Sequence, residues 1–197
     1  SLFPDSSMAL FLTLANTAAL RLPTPATGPL RGKLPETFSL PNGKSVILFD
    51  GVCNFCNAWV NFVLDNDPDG VFQFASMQSP AGRQLLEMCG RPPDDLSTFV
   101  VLDAEGFWTQ STAALRVAQG LPRPALNVLG AALLPLPSAV RDIVYQTVAT
   151  NRYSILGRDA DGATPSCMLR NDAMAMQERF LDDRWPADVE AASAWLD

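Results

Sequence analysis

The sequence predicts an α/β domain with a mixed β-sheet, flanking helices and a C-terminal helical extension. Three observations lead to this prediction: short apolar runs alternate with longer amphipathic stretches, a β-hairpin signature follows the second such stretch, and no segment repeats at a fixed period. Apolar residues make up 48% of the chain and charged residues 18%, which is the composition of a globular protein. A chain of 197 residues is long enough to bury one sizeable core.

The first half of the domain reads as two strands, each followed by a helix. Ser45–Asp50 is a short apolar run between turn residues, which predicts a buried strand. Cys53–Leu64 is rich in apolar residues and predicts a helix packed on the sheet. Val71–Ala75 alternates between the two faces of a second strand, and Pro80–Cys89 predicts a second helix that Gly90 ends.

The next elements complete a recognisable order. Thr98–Asp103 predicts a strand, Ala104–Gly106 a tight turn, and Phe107–Gln110 the second strand of a hairpin. Ser111 is the expected N-cap of a helix over Thr112–Gln119. The order is therefore β-α-β-α-β-β-α. A parallel strand pair joined by a crossover helix and extended by an antiparallel hairpin is the thioredoxin-like arrangement.

The region after this helix is apolar but is not predicted to span a membrane. Residues 125–149 are interrupted by Pro135 and Pro137, well short of the ~20 uninterrupted apolar residues that a span requires, so two short helices are expected. Asp172–Asp183 and Pro186–Leu196 fit two further amphipathic helices. The predicted domain covers residues 44–183, and residues 184–197 form a C-terminal amphipathic tail.

Residues 1–43 are predicted to form an N-terminal arm. No acidic residue occurs between Asp5 and Glu36, and prolines recur. This composition fits a poorly ordered arm, the remnant of an organellar targeting sequence, or a segment that docks on a partner protein. The apolar run from Met8 to Leu20 is too short to cross a bilayer about 30 Å thick.

Charge and histidine content exclude several functions. The formal net charge is −7 and no basic stretch is long enough to follow a phosphate backbone, so nucleic acid is not an expected partner. The chain contains no histidine. Catalysis by His-containing triads or Cys–His dyads is therefore excluded, and acid–base chemistry must rely on carboxylates, thiols or water.

The chemistry is predicted to lie in a Cys-x-x-Cys motif formed by Cys53 and Cys56. The motif follows a strand and begins a helix. The unpaired N–H groups and the dipole at a helix start favour an anion, so the first thiol is shifted towards the thiolate that attacks disulfides. We expect Cys53 to be the exposed attacking thiol and Cys56, one turn deeper, to be the resolving thiol.

Alternatives to redox chemistry remain open. The two cysteines can be structural, or they can join Cys89 and Cys167 in a four-thiolate zinc site. Zinc ribbons, however, supply two close pairs of cysteines, and Cys89 and Cys167 are far apart in the sequence. We therefore predict no resident metal ion and no cofactor. A redox-inactive subunit that retains the motif is a further alternative.

Asp50 and Gly51 stand between the strand and the motif. The Asp50 carboxylate can accept a proton from Cys56, destabilise the Cys53 thiolate by charge repulsion, or simply organise the turn through backbone hydrogen bonds. Gly51 is expected to supply a backbone shape that a side chain would obstruct.

Several separated motifs resemble the DCC family of thiol-disulfide oxidoreductases, a thioredoxin-like group named for its Asp-Cys-Cys pattern. The resemblance covers about residues 45–183 and implies the fold and the reaction class, but it names no substrate. For a thiol–disulfide exchange reaction, we expect the partner to be a protein or small-molecule thiol or disulfide. The segments that carry the resemblance are Asp50–Cys56, Phe74–Pro80 with Gly82, Gln110–Leu115, Arg141-Asp142, Val144-Tyr145, Asn151–Tyr153, Gly157 and Ser166–Met168.

The resemblance also suggests substrate contacts and a third thiol. Thioredoxins carry a cis-proline before the strand that faces the Cys-x-x-Cys motif, whereas this chain has Ser97 at about that place. Phe55 lies between the two cysteines, where thioredoxin-like proteins expose an apolar residue to their partners. Cys167 is either a buried small hydrophobe or a third redox thiol. Arg152 and Tyr153 are expected to anchor the helical extension to the sheet.

Two functions from different classes follow. The first is an enzyme, a dithiol–disulfide oxidoreductase. The second is a redox-inactive accessory subunit of a larger, organellar complex, in which the N-terminal arm and residues 125–149 contact the partners. The composition of the arm favours a plastid or a mitochondrion, with the cytoplasm as the alternative.

Overall fold

A computed structural model of the chain describes residues 28–36, 38–158 and 178–181. These residues form a five-stranded mixed sheet with helices on both faces. The elements in chain order are β1 (Arg31–Gly32), β2 (Ser45–Phe49), α1 (Asn54–Asn66), β3 (Phe72–Ser76), α2 (Pro80–Met88), β4 (Val100–Asp103), β5 (Gly106–Thr109), α3 (Gln110–Gly120), α4 (Pro124–Leu133) and α5 (Ser138–Leu156).

The sheet has the strand order β1-β5-β4-β2-β3. Strand β2 pairs in parallel with β3, which the crossover helix α1 makes possible, and in antiparallel with β4. Strands β4 and β5 form the predicted hairpin. The predicted order β-α-β-α-β-β-α is confirmed from β2 to α3, and with it the thioredoxin-like α/β class.

The central strand β2 is buried on both faces, as its continuous apolar run predicted. Ile47 and Phe49 point into a core cluster that contains residues of α1 and α3. Val46 and Leu48 point into a second cluster on the opposite face, which contains residues of α2. Each of these four side chains is at most 1% exposed. Packing on both faces therefore fixes the carboxyl end of β2, and the motif that follows it, between two helical layers.

Strand β1 lies within residues 1–43, the predicted N-terminal arm. It pairs in antiparallel with β5 at the edge of the sheet, and Leu34, Phe38 and Leu40 pack against the second core cluster. Sequence patterns did not predict this strand because its two residues are exposed and stand in a proline-rich stretch. Residues 1–27 of the arm lie outside the described residues.

Helix α3 begins earlier than predicted. Its N-cap is Thr109, and the expected N-cap, Ser111, is instead a buried residue inside the helix. The Ser111 hydroxyl donates a hydrogen bond to the Asp142 carboxylate of α5. Because β5 passes directly into α3, no free N-capping position exists at Ser111, and its hydroxyl serves a contact between helices.

The apolar region after α3 forms two helices, as predicted, but the second is not short. Helix α5 has 19 residues and continues past Ala149 to Leu156. None of the described helices combines the length and the hydropathy that crossing a membrane requires. Large apolar side chains on these helices are nevertheless exposed, namely Val128, Leu129, Val140, Ile143, Val144, Val148, Ile155 and Leu156.

The short described segment near the C-terminus corrects one prediction. Residues 178–181 do not continue a helix over 172–183. Instead, the Phe74 N–H donates to the Arg179 carbonyl at 2.8 Å, and the Leu181 N–H donates to the Phe74 carbonyl at 2.8 Å. This segment therefore lies alongside β3. The predicted tail, residues 184–197, lies outside the described residues.

Candidate functional site

The Cys-x-x-Cys motif lies at the carboxyl end of β2. Asp50 follows the strand, Gly51 and Val52 form a turn, and Cys53 is the N-cap of α1 with an extended backbone. The Cys53 N–H donates to the Asp50 carbonyl at 3.2 Å, which closes the turn. The first turn of α1 thus presents its unpaired N–H groups to the Cys53 side chain, as the motif predicted.

The two thiols have opposite protonation behaviour. The Cys56 N–H donates to Cys53 Sγ at 3.4 Å. A hydrogen bond from the Cys56 thiol lowers the pKa of Cys53 from 9.0 to about 6, and the Cys56 N–H acts in the same direction against the opposing effect of burial. The same thiol–thiolate bond, together with burial, raises the pKa of Cys56. At neutral pH the pair therefore holds a thiolate at Cys53 and a thiol at Cys56.

The exposure of the two cysteines differs from the prediction. Cys53, expected to be exposed, is 0% exposed, whereas Cys56 is partly exposed. The segment that ends α5, residues 156–158, covers Cys53. Arg158 of this segment forms an antiparallel backbone bridge with Cys53. Asn54 also contacts this segment: its N–H donates to the Gly157 carbonyl at 3.4 Å, and its Nδ2 donates to the Leu156 carbonyl at 3.1 Å. The residues that form this cover are about 100 positions apart in the sequence, so local sequence patterns do not reveal it.

Asn54→Ala is expected to uncover Cys53. The substitution removes the hydrogen bond from Asn54 Nδ2 to Leu156, so the segment that ends α5 opens more often. The loss of one hydrogen bond costs about 1 kcal/mol, which should raise the rate of Cys53 alkylation about fivefold. Iodoacetamide is the alkylating reagent, and mass spectrometry measures the alkylated fraction over time. Asn66→Ala is the matched control, since Asn66 caps only Phe62 at the far end of the same helix. Equal alkylation rates in both variants would contradict this account of the cover.

Asp50 is the centre of a buried hydrogen-bond network. One carboxylate oxygen accepts from Gln78 Nε2 at 2.7 Å and from the Val52 N–H at 3.3 Å. The other accepts from the Tyr153 hydroxyl and from Arg152 Nη2, the latter at 3.3 Å. The bond to Val52 shows that Asp50 organises the turn. Its charge also opposes ionisation of Cys53, a smaller effect than the hydrogen bond from Cys56.

Arg152 and Tyr153 anchor α5 to the sheet, as expected, but they do so at the site itself. Arg152 Nη2 donates to the Leu96 carbonyl at 2.7 Å and to the Tyr153 hydroxyl at 2.9 Å, in addition to Asp50. The Arg152 charge acts in the direction that lowers the pKa of both Cys53 and Cys56. The resemblance to the DCC family pointed to these residues, because its motifs include Asn151–Tyr153. The helical periodicity of this region would not have linked them to Asp50.

Gln78 is a site residue that sequence analysis missed. It donates to Asp50, and its Oε1 accepts from the Gly51 N–H at 2.9 Å. A Cβ added to Gly51 would lie 2.6 Å from Ser76 Oγ, so this glycine permits a close approach, as expected. The motif Phe74–Pro80 contained Gln78, but nothing local linked it to the cysteines.

A pocket of about 230 Å³ adjoins the motif. It lies between α1, α5 and the segment that precedes β4. Phe55 and Ser97, the predicted substrate contacts, both line it, as do Cys56 and Asp50. The pocket does not include Cys53 or Gly51 among its described lining residues. Of the seven predicted site residues, the structure thus brings four to one cavity and two, Gly51 and Cys53, to the adjoining turn, and Cys167 lies outside the described residues.

The remaining cysteines do not form a site with the motif among the described residues. Cys89 is buried in the second core cluster, and burial raises its pKa to about 12, so its thiol stays protonated. Within the part of the chain that the structure describes, no group of three or more Cys, Asp or Glu side chains is positioned to hold a metal ion. Cys167 lies outside the described residues, and its role as a third thiol stays a prediction.

Comparisons with known proteins complete the description of the site. A family model described as DCC1-like thiol-disulfide oxidoreductase matches residues 47–158, more than half of the chain. The uncharacterised protein YuxK of Bacillus subtilis is 43% identical over 143 residues, which cover 72% of this chain and 96% of that protein. A DCC family protein of Arabidopsis thaliana, named as chloroplastic, is 39% identical over 125 residues, 62% of this chain and 71% of that protein. No solved structure matches the chain.

Proposed function

This chain belongs to the family of DCC1-like thiol-disulfide oxidoreductases, and from that membership we propose that it is an enzyme that exchanges its Cys53–Cys56 dithiol with disulfides of proteins or small molecules. The observation that carries the proposal is the hydrogen-bonded cysteine pair at the start of α1. Its thiolate form is stabilised at Cys53, whose pKa is lowered to about 6 by the Cys56 thiol.

The exchange has two steps. When the segment that ends α5 opens and uncovers Cys53, its thiolate attacks one sulfur of a substrate disulfide. A bond forms between Cys53 and that sulfur, and the other substrate sulfur leaves as a thiolate that takes up a proton. Cys56 then loses its proton and attacks Cys53 Sγ, which releases the second substrate thiolate. Two electrons pass to the substrate, and the Cys53–Cys56 disulfide remains. The reverse sequence oxidises a substrate dithiol.

Asp50 is the proposed proton acceptor for Cys56. Both residues line the same pocket, and Gln78 and Tyr153 hold the carboxylate in place. Arg152 forms an ion pair with the Asp50 carboxylate at 3.3 Å, and its positive charge balances the negative charges of that carboxylate and of the nearby Cys53 thiolate. A buried carboxylate near the resolving thiol is suited to take its proton at the moment when Cys56 becomes the nucleophile.

Gly51, Phe55 and Ser97 are the proposed substrate contacts. Gly51 keeps the turn free of a side chain, and Phe55 is partly exposed at the pocket. Ser97 stands at about the place of the cis-proline of thioredoxins, and Arg91 Nη2 donates to its hydroxyl at 3.2 Å. Cys167 is the proposed third thiol.

The test is a stoichiometric exchange assay. The dithiothreitol-reduced protein, freed of reductant, is mixed with bis(2-hydroxyethyl) disulfide, and released thiol is measured. We expect two thiols per protein and a mass loss of two hydrogens that maps to Cys53 and Cys56. A protein that keeps both thiols free through the assay would contradict the proposal.

A specific observation favours the alternative of an accessory subunit. Val128, Val140, Ile143 and Val144 are 58–69% exposed on α4 and α5, and exposed apolar residues of this kind mark contacts with other proteins. If the chain is a redox-inactive subunit of an organellar complex, Cys53→Ser will leave the assembly and activity of that complex unchanged. Loss of activity in an assembled complex would rule out this alternative.

We extend the proposal to the compartment, an organelle such as a plastid or a mitochondrion. The acid-free composition of residues 6–35 and the chloroplastic name of the Arabidopsis relative support it. The bacterial relative supports the cytoplasmic alternative. The chain with a fluorescent protein at its C-terminus is expected in plastids or mitochondria of plant cells, and diffuse cytosolic fluorescence would contradict this expectation.

A further inference from the structure

The pocket beside Cys56 has apolar walls. They include Phe55 and Trp59 of α1, Phe99 from the segment that precedes β4, and Val148 and Ala149 of α5. The rings of Trp59 and Phe99 are in contact, with their centroids 4.8 Å apart. Such walls favour an apolar ligand because a polar group placed there loses its hydration without a replacement partner.

The charged groups of the pocket are already paired with each other. Among the described lining residues, Arg152 is the one cation, and it donates to Asp50, to the Leu96 carbonyl and to the Ala149 carbonyl. Asp50 adds a negative charge to the same end of the pocket. An anionic thiol compound such as glutathione therefore finds no free cation here and meets a buried carboxylate. Charge complementarity points to an uncharged occupant.

The dimensions and the entrance of the pocket indicate a side chain of a larger molecule. A volume of about 230 Å³ is below the 300–1,000 Å³ typical of pockets for whole drug-sized ligands. Val144 lines the pocket and is 69% exposed, so we take it to mark the entrance. Exposed apolar side chains continue from it along α5 at Ile143 and Val140. A small molecule held in the pocket would leave this surface uncovered, whereas a polypeptide that inserts one side chain would cover it.

We propose that the pocket receives an apolar side chain, aromatic or branched aliphatic, that flanks the reacting cysteine of a polypeptide substrate. This inference rests on the proposed function, because it assigns the substrate class of the same site. The inserted side chain would orient the substrate disulfide beside the Cys53–Cys56 pair. Burial of that side chain supplies the binding energy. Because Cys56 lines the pocket, the disulfide of the bound substrate lies near the Cys53–Cys56 pair.

Two matched peptides test the proposal. Each has the form acetyl-Ala-X-Cys-Ala-amide, with its cysteine joined to 2-mercaptoethanol as a mixed disulfide and X either Phe or Ser. For the reduced wild-type protein, we expect the second-order rate constant to be at least about tenfold higher for the Phe peptide, since a buried Phe contributes most of its transfer free energy. Oxidised glutathione, the anionic probe, is expected to react no faster than the Ser peptide.

Variants connect the selectivity to the pocket. Ala149→Leu extends a larger side chain into the pocket, and the Phe-to-Ser ratio of rate constants should fall to about 1. Val144→Asn at the exposed entrance should lower the ratio at least about threefold, and it gives a second test if Ala149→Leu fails to fold. Val71→Asn is the matched control and should keep the wild-type ratio, because Val71 is exposed at the opposite end of the sheet, before β3.

The outcomes separate this inference from the proposed function. If wild-type protein reduces bis(2-hydroxyethyl) disulfide and both peptides at equal rates, the pocket inference is overturned and the proposed function stands. A ratio unchanged by both Ala149→Leu and Val144→Asn also overturns the inference. If no disulfide reacts at all, the proposed function fails and the inference fails with it.

Discussion

Cys53→Ser is expected to lower the rate of thiol–disulfide exchange at least about 1,000-fold. A serine hydroxyl does not ionise near neutral pH, so it cannot replace the thiolate that the Cys56 hydrogen bond stabilises at this position. The measurement is the thiol released from bis(2-hydroxyethyl) disulfide by the reduced protein. Cys89→Ala is the control and should keep the wild-type rate within about twofold, because Cys89 is buried in a separate core cluster.

Cys56→Ser separates the two steps of the same reaction. Cys53 still attacks the substrate, but no second thiol resolves the product, so the protein should accumulate as a mixed disulfide on Cys53. Intact mass and peptide mapping detect the added mercaptoethanol. A mixed disulfide that forms on Cys56 in the Cys53→Ser variant at the wild-type rate would reverse the assigned roles.

Arg152→Met is expected to have the largest effect on stability. The substitution leaves the Asp50 carboxylate, which is 3% exposed, without its cationic partner. Removing one member of a buried ion pair costs about 3 kcal/mol of unfolding free energy, since the remaining charge stays buried. Tyr153 and Gln78 still donate to Asp50, so the cost should be at the lower end of the range for such pairs. Urea unfolding of the reduced protein gives the value.

A control and a double variant show whether this cost comes from the ion pair. Arg158→Met removes an exposed arginine that lies over the Tyr153 ring at 3.8 Å, and it should change the unfolding free energy by less than about 0.5 kcal/mol. Asp50→Asn combined with Arg152→Met should be less destabilised than the sum of the two single variants. Additive effects would show that Arg152 stabilises α5 independently of Asp50.

Sequence patterns predicted the parts of this molecule that depend on neighbouring residues. The buried run of β2 and the turn at Gly51 fix the place of Cys53 at the start of α1, and each of these follows from local apolar patterning and turn chemistry. The hairpin of β4 and β5 was likewise predicted from one turn. For these elements, local preference and final fold agree.

Contacts between distant segments could not be predicted in this way. The bond between Arg152 and Asp50 joins residues 102 positions apart, and the cover over Cys53 depends on where a long helix ends. Ser111 carried an N-cap signal, yet tertiary packing placed it against Asp142. Sequence patterns identified the reacting thiols. The hydrogen-bond network around them became visible only in the folded structure.

The midpoint potential of the Cys53–Cys56 pair, measured across pH 5–8, tests whether the two thiols form one redox couple in which Cys53 is the thiolate. The protein is equilibrated along a dithiothreitol gradient, alkylated and analysed by mass. Because the Cys53 pKa is lowered to about 6, the thiolate stabilises the reduced form above that pH, and this contribution is lost as the pH falls through about 6. Reduction then takes up two protons below pH 6 and one above it.

We expect a single two-thiol transition whose midpoint falls by about 59 mV per pH unit below pH 6 and by about 30 mV per pH unit above it. The midpoint itself then says whether the protein works as a reductant or an oxidant. A slope that stays at about 59 mV through pH 8, or the absence of a transition between Cys53 and Cys56, would contradict the account.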